Sequence, residues 1–154
     1  MLIRIIPNTN ICQKNTNEKV LFDTNIILDI ALKRDLFFEN AFKLFNLIDK
    51  KKIIGNITAS TVTDIYYISK KEKGHSESIN FIKSLIEVVE VIGIDKDIIL
   101  KALTSDMKDF EDAVQTSAAE LNEIEVIITR NKNDFTDTSL KIMTPKEFLA
   151  DFKK

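Results

Sequence analysis

The stretch Val20-Leu21-Phe22-Asp23-Thr24-Asn25 decides how this chain is read. Three apolar residues end in a carboxylate, two small polar residues follow, and a helical pattern then runs over 26–32. That order describes a buried strand carrying an acid to the edge of a sheet. In open α/β sheets ligands bind there, just beyond the carboxyl ends of the strands. What matters elsewhere in the chain is whether other acids arrive at the same edge.

On either side of that stretch, short apolar runs alternate with helical patterns. A strand is expected over 19–23 and a helix over 25–34. Apolar residues at three- and four-residue spacing (Phe38, Ala41, Phe42, Phe45, Ile48) mark an amphipathic helix over 37–51. A strand over 53–57 precedes a helix over 60–71 with Val62, Ile65, Tyr66 and Ser69 on one face. Gly74 closes that helix, and the next runs from about 76 to 88 with Ile79, Ile82, Ile86 and Val89 inward. Then come a strand over 89–94, a short helix reaching 103 and capped by Asp95 or Asp97, a helix over 110–121 and a strand over 126–129. After a polar turn over 130–134, a last strand over 140–143 leads into Thr144-Pro145-Lys146-Glu147. There Thr is the N-cap, Pro the first helical residue and Glu closes a capping box.

Such alternation, without internal repeat or Gly/Pro-rich linker, implies a three-layer α/β/α fold around a mainly parallel sheet of four to five strands. Right-handed crossovers place all the strand ends on one edge. Residues 19–154 read as one domain. Residues 1–18, with Pro7 ending an apolar run and an Asn/Thr-rich stretch over 8–17, read as an N-terminal extension.

With 154 residues the chain is long enough to bury a sizeable core, and its 44% apolar and 30% charged residues are ordinary for a globular protein. No apolar stretch approaches the roughly 18 residues of a membrane span. The opening Met1-Leu2-Ile3-Arg4-Ile5-Ile6-Pro7 is too short for a signal peptide and lacks its cleavage pattern. Cys12 is the only cysteine, which excludes an intrachain disulfide or a cysteine-built zinc site. These features lead us to expect a cytoplasmic protein without membrane attachment. A net charge of −2 argues against coating nucleic acid by bulk positive charge, but leaves room for an acidic, metal-filled site with lysines at its rim. Lys50-Lys51-Lys52, Lys70-Lys71 with Lys73, and Arg130 with Lys132 are the local basic clusters.

Asp23 ends the first strand. Asp64 falls early in the helix after the second strand, among Val62-Thr63 and Ile65-Tyr66-Tyr67, where an acid is costly to bury unless paired or bound to a cation. Asp109 and Asp112, three residues apart, are expected on one helix face. Asn131 and Asp134 follow the fourth strand. Acids near helix starts often serve only as caps or dipole partners. Acids after three or four parallel strands, however, must meet at one edge. A carboxylate cluster without His or Cys suits a hard cation such as Mg²⁺ or Mn²⁺, which prefers oxygen ligands. Such a centre is equipped to hydrolyse a phosphodiester. His75, beside Gly74, has no partner suggested by sequence.

These residues resemble the PIN domain, the fold of many VapC-type toxin ribonucleases of prokaryotic toxin–antitoxin pairs. Phe22-Asp23-Thr24-Asn25 is similar to the family's opening acid motif. Asp64 in Ser60-Thr61-Val62-Thr63-Asp64-Ile65 falls on the second acid, and Asp112 in Asp109-Phe110-Glu111-Asp112-Ala113-Val114 on the third. Ile127-Ile128-Thr129-Arg130-Asn131-Lys132-Asn133-Asp134-Phe135 resembles the final motif, and Thr144-Pro145-Lys146-Glu147-Phe148-Leu149 the usual ending.

The resemblance, over residues 19–152, implies a Mg²⁺- or Mn²⁺-dependent endoribonuclease. Asp23, Asp64 and Asp112 would hold the metal, with Asp109 or Asp134 assisting. Thr24, Asn25 and Thr129 would orient carboxylates or water, and Arg130 and Lys132 would contact the RNA backbone. A cognate antitoxin and a homodimer are the implied partners, with Leu36-Phe37-Phe38 as a contact surface. Two departures stand out. The second acid is Asp where Glu is commoner, and Asn131 occupies a position where many relatives carry a fourth acid, which points to one metal rather than two. The alternative reading is a PIN-like module that has lost chemistry and binds RNA or a protein. An aspartyl phosphatase would need a second Asp where Asn25 stands.

Overall fold

The computed structural model describes residues 18–153. The expectations for 1–17, Cys12 among them, lie outside the described residues. The elements run β1 (Glu18–Phe22), α1 (Thr24–Ala31), α2 (Phe38–Asp49), β2 (Ile53–Thr58), α3 (Ala59–Leu85), β3 (Glu90–Ile92), α4 (Lys96–Leu103), α5 (Phe110–Leu121), β4 (Val126–Ile128), β5 (Lys141–Met143) and α6 (Pro145–Phe152). Among the described residues five strands form one sheet in the order β3-β2-β1-β4-β5, every neighbouring pair parallel. The three-layer α/β/α architecture read from the sequence is therefore the observed one.

The layers follow from the two-residue period of the strands. Val20, Phe22, Val126 and Ile128 point into one core with Ile26, Ile27, Ala41, Leu44, Phe45 and Ile65 from α1, α2 and α3. Leu21 and Ile127 point the other way, against Ile98 and Ala102 of α4 and Ala113, Val114 and Ala118 of α5. Both faces being covered, the strands read as continuous apolar runs rather than alternating ones. Gly55 in β2 permits the close approach of α2: a Cβ there would meet Ile48 Cδ1 at 2.6 Å and Phe22 Cε2 at 2.7 Å.

β1 is the pivot of the topology. The chain moves to one side of it to make β2 and β3, and to the other to make β4 and β5. The crevice between the ends of β1 and β4 is thus the switch point where such sheets bind ligands. Thr58, Asp95, Asp109 and Thr144 cap the helices that follow, each accepting a backbone N–H, and Thr144 with Glu147 forms the expected capping box.

Gly74, with φ of +83° and ψ of 173°, divides α3 into two helical halves where the sequence reading places the break. One sequence expectation needs correction. Ile86, expected inward, is half exposed because α3 ends at Leu85 and Ile86 sits in the following turn; Ser78 and Leu85 are the buried residues of that half.

Candidate functional site

Asp23 stands at the N-cap position of α1 but makes no side-chain cap. Both of its oxygens are instead held from across the switch point. Thr129, just past β4, donates its hydroxyl to Oδ2 at 2.8 Å, and Gln115 of α5 donates Nε2 to Oδ1 at 3.3 Å. Thr129 Oγ1 in turn accepts the Asn131 backbone N–H at 3.0 Å. Burial pushes the Asp23 carboxyl above its ordinary range, only partly offset by the bonds from Thr129, Gln115 and the Thr24 backbone and by the charge of Arg130.

Asp23 opens into a cavity of about 360 Å³ that gathers acids from three other parts of the chain: Asp64 of α3, Asp109, Glu111 and Asp112 at the start of α5, and Asp134 after β4. Thr24, Asn25 and Asn131 also line it, with Leu28 and Ile68 as its apolar wall. All five acids expected at the edge are there, as are three of the four supporting residues; the fourth, Thr129, reaches it through Asp23. Two larger cavities, of about 540 and 720 Å³, lie elsewhere, one between α1, α2 and α3 and one beside β3. Neither concentrates titratable groups as this one does.

Asp109 and Asp112 line the cavity together, as their spacing of three suggests, though Asp109 does so from the cap position rather than from within the helix. Asp109 is the N-cap of α5, its Oδ1 accepting the Asp112 backbone N–H at 3.1 Å. That cap sets the start of α5 at Phe110 and turns Glu111, for which the sequence suggested no role, towards α1 and α3. Glu111 Oε1 accepts from Thr24 Oγ1 at 3.2 Å and from Gln115 Nε2 at 3.5 Å, and its carboxyl meets that of Asp64. Its one sequence signal is its spacing from Gln115: residues four apart share a helix face, and Gln115 is buried.

The electrostatics of the cavity are those of negative charge crowded together. Glu111 is pushed from 4.5 up to about 7, chiefly by burial and then by Asp64. Asp112 is pushed from 3.8 up to about 7 by burial and by the charges of Asp23, Asp109, Asp134 and Glu111. The hydroxyl side of the site is equally built. Thr24 Oγ1 lies 2.9 Å from Thr61 Oγ1, Thr58 Oγ1 donates to Thr61 Oγ1 at 3.2 Å, and Ser60 Oγ lies 2.9 Å from Thr58 Oγ1. A row of buried and half-buried hydroxyls thus ends on Glu111.

Arg130 and Lys132, expected to face RNA, are both tied to acids of the chain. Arg130 Nε lies 2.9 Å from Oδ2 of Asp29, its guanidinium stacks 3.8 Å above the Phe37 ring, and Arg34 approaches the other Asp29 oxygen at 3.5 Å. Asp29 is 1% exposed, so Arg130 braces a buried acid of α1. Lys132 Nζ lies 3.1 and 3.0 Å from the two Glu147 oxygens at the surface. Of the expected contact surface, Leu36 is exposed, Phe37 lies under Arg130, and Phe38 packs against the core. His75 pairs with the Tyr66 hydroxyl at 2.9 Å and does not line the cavity.

The donor set is all oxygen, which suits Mg²⁺, Mn²⁺ or Ca²⁺ and not a soft metal. Among the described residues no three acidic side chains already form a finished cage. The carboxylates ring a space instead, and a cation there would offset the burial and the mutual repulsion that push Glu111 and Asp112 up to about 7. The residues fit a hard divalent ion.

A family model described as PIN domain matches residues 19–133. No curated protein matches the chain. Among solved structures, a chain of a toxin–antitoxin complex from Klebsiella pneumoniae superposes with a TM-score of 0.62 at 25% identity, covering 82% of this chain and 97% of that one. A chain of DNA-bound VapBC from Salmonella typhimurium gives 0.64 at 17% identity, covering 83% and 98%. VapC20 of Mycobacterium tuberculosis, a toxin that cleaves the sarcin-ricin loop, gives 0.58 at 15% identity, covering 70% and 86%. For the last two the likeness is one of fold.

Proposed function

Because the chain belongs to the PIN domain family, we propose that its acid cavity is the metal centre of an endoribonuclease, and that the protein is the toxin of a toxin–antitoxin pair. The observation that carries this reading is the convergence of Asp23, Asp64, Glu111 and Asp112 on one oxygen-lined cavity at the topological switch point. The likeness to chains of toxin–antitoxin complexes supports an antitoxin as partner, and a homodimer is proposed from the family resemblance alone. Among the described residues no helix is long and apolar enough to cross a membrane, in keeping with a cytoplasmic site of action on RNA.

Asp23, Asp64, Glu111 and Asp112 would hold Mg²⁺ or Mn²⁺, with Asp109 and Asp134 able to assist through water. The bound ion supplies an activated water and offsets the charge that builds on the phosphate. The chain's own residues do the positioning. Thr129 and Gln115 fix the Asp23 carboxylate in one orientation and favour its ionised form. Thr24 occupies one oxygen of Glu111 and so holds that carboxylate in place beside Asp64. Asn25 and Asn131 bring amide groups to the cavity wall, where they can donate to phosphate oxygens. Glu111 restores the reach that Asp64 gives up by being one methylene shorter than Glu.

The direct test is cleavage of single-stranded and structured RNAs with Mg²⁺ or Mn²⁺ and with EDTA, comparing wild type with Asp23→Asn and Asp64→Asn. Metal-dependent cutting by wild type, lost in both variants, is expected; variants that cut as well as wild type would sink the assignment. The neutral Asn131 in the wall favours one alternative, a PIN-like module that binds RNA or a protein without cutting. RNA binding without any cleavage in either metal would select that reading.

A further inference from the structure

α3 leaves the acid cavity carrying more than Asp64. Residues at i, i+3, i+4 and i+7 share a helix face, and from Asp64 that spacing reaches Tyr67, Ile68 and Lys71. Ile68 lines the cavity beside Asp64, so this face runs outward from the cavity along the helix. Tyr67 stands one turn beyond the acid and is 65% exposed.

Its surroundings are not those of a stray surface tyrosine. The Tyr66 ring meets it edge-on, with centroids 5.4 Å apart and an interplanar angle of 68°. Tyr66 is pinned in turn by three contacts. Its hydroxyl pairs with His75 Nδ1 at 2.9 Å, its ring stands at 86° to the imidazole, and Lys70 Nζ lies 5.5 Å from its centroid. Gly74 makes this possible, since its positive φ breaks the helix just before His75. An aromatic ring held by a neighbouring ring gives up little rotamer freedom when a planar group settles on it.

The charges around it choose the guest. Lys70, Lys71 and Lys73 are all exposed along the same turn and a half of helix. An open aromatic face beside lysines, next to an acid cavity, fits an unpaired base with its backbone phosphates. Duplex RNA cannot use it, because its bases are already stacked in the helix.

We propose that Tyr67 is a stacking platform for an unpaired base flanking the phosphate in the acid cavity, with Lys71 taking the adjoining backbone. This rests on the reading of the cavity as the place where RNA is cut, but binding tests it separately from cutting.

The experiment is a fluorescence-anisotropy titration of the full chain with a labelled single-stranded oligoribonucleotide of mixed sequence, in Ca²⁺, against the same strand annealed to its complement. Wild type should bind the single strand more tightly than the duplex. Tyr67→Ala should weaken single-strand binding about tenfold, within the range stacking of one base is worth, while Tyr67→Trp stays near wild type. Lys71→Ala should reduce the slope of log affinity against log salt by about 0.7, the share of one phosphate. A 2-aminopurine in the strand should lose quenching in Tyr67→Ala and keep it in Tyr67→Trp. Far-ultraviolet circular dichroism and the melting temperature establish that each variant is folded.

Equal affinity of wild type and Tyr67→Ala overturns the platform, as does equal affinity for single strand and duplex, or no RNA binding at all. A change of oligomeric state in Tyr67→Ala with RNA affinity unchanged also overturns it, and makes the face a protein interface. If wild type cuts RNA with Mg²⁺ while Tyr67 proves irrelevant, the nuclease reading stands and the platform falls. If Tyr67-dependent binding holds but no metal supports cutting, the reverse is true.

Discussion

Two acids six residues apart on the same stretch of chain, Asp23 and Asp29, are both buried and treated in opposite ways. Asp29 is met by two guanidiniums, Arg130 at 2.9 Å and Arg34 at 3.5 Å. Its nearest company is countercharge, and burial still leaves its carboxyl above the ordinary range. Asp23 is met by a hydroxyl and an amide, neutral donors that aim it, with the charge of Arg130 only a minor offset, and acids gather beside it in the cavity. A fold that needed Asp23 only for stability would treat it as it treats Asp29. That difference is what supports the proposal of a cation site at Asp23.

The strongest test of this contrast is catalytic. Asp23→Asn keeps the size of the side chain and should lower metal-dependent RNA cleavage more than about a hundredfold, beyond the loss of an outer-shell partner. The apo protein's melting temperature should hold or rise, because one charge leaves the cluster. Arg130→Met should do the reverse. Leaving Asp29 buried with only the more distant Arg34 should cost about 3 kcal/mol of unfolding free energy, read by urea denaturation. If Asp23→Asn unfolds the chain and Arg130→Met does not, the two acids have been assigned the wrong way round.

Glu111→Gln should weaken Mn²⁺ binding about tenfold, measured by electron paramagnetic resonance of free Mn²⁺ without any RNA present. An unchanged affinity removes Glu111 from the centre. Smaller still is the pH response of the metal-free protein. Glu111 and Asp112 sit at about 7 in the fold against 4.5 and 3.8 ordinarily. Between those values the folded chain binds more protons than the unfolded one, so stability falls as pH rises from about 4 through 7. In EDTA the protein should melt a few degrees lower at pH 8 than at pH 5.5, and saturating Mg²⁺ should flatten the slope. Lys132→Ala, which removes a surface pair, should shift stability by less than about 1 kcal/mol.

The same contrast separates what is legible in the sequence from what is not. Asp23 is legible because an apolar strand has no structural need to end in an acid. Parallel topology then carries Asp64, Asp112, Asp109 and Asp134 to its edge. The α5 boundaries and the Thr144 capping box are legible because they depend on neighbours in sequence. Glu111 is not, because its role depends on which residue caps α5; Asp109 as the N-cap rotates Glu111 into the cavity. The role of Arg130 is hidden because its partner lies 101 residues away on α1. The clue to it is Leu28-Asp29-Ile30, an acid flanked by core residues and in need of a cation.

The row of hydroxyls from Ser60 through Thr58, Thr61 and Thr24 to Glu111 makes the cavity's charge readable at a distance. With Glu111 ionised, every hydrogen in the row points towards it, each oxygen donating to the next. Hydroxyl hydrogens rotate freely to suit their partners. A protonated Glu111 donating to Thr24 would turn the Thr24 hydrogen onto Thr61, a link across which either hydroxyl can donate, and the change stops there because Thr58 is the donor to Thr61. Thr61, in the first turn of α3, thus registers by the direction of one hydrogen bond whether Glu111 carries a proton.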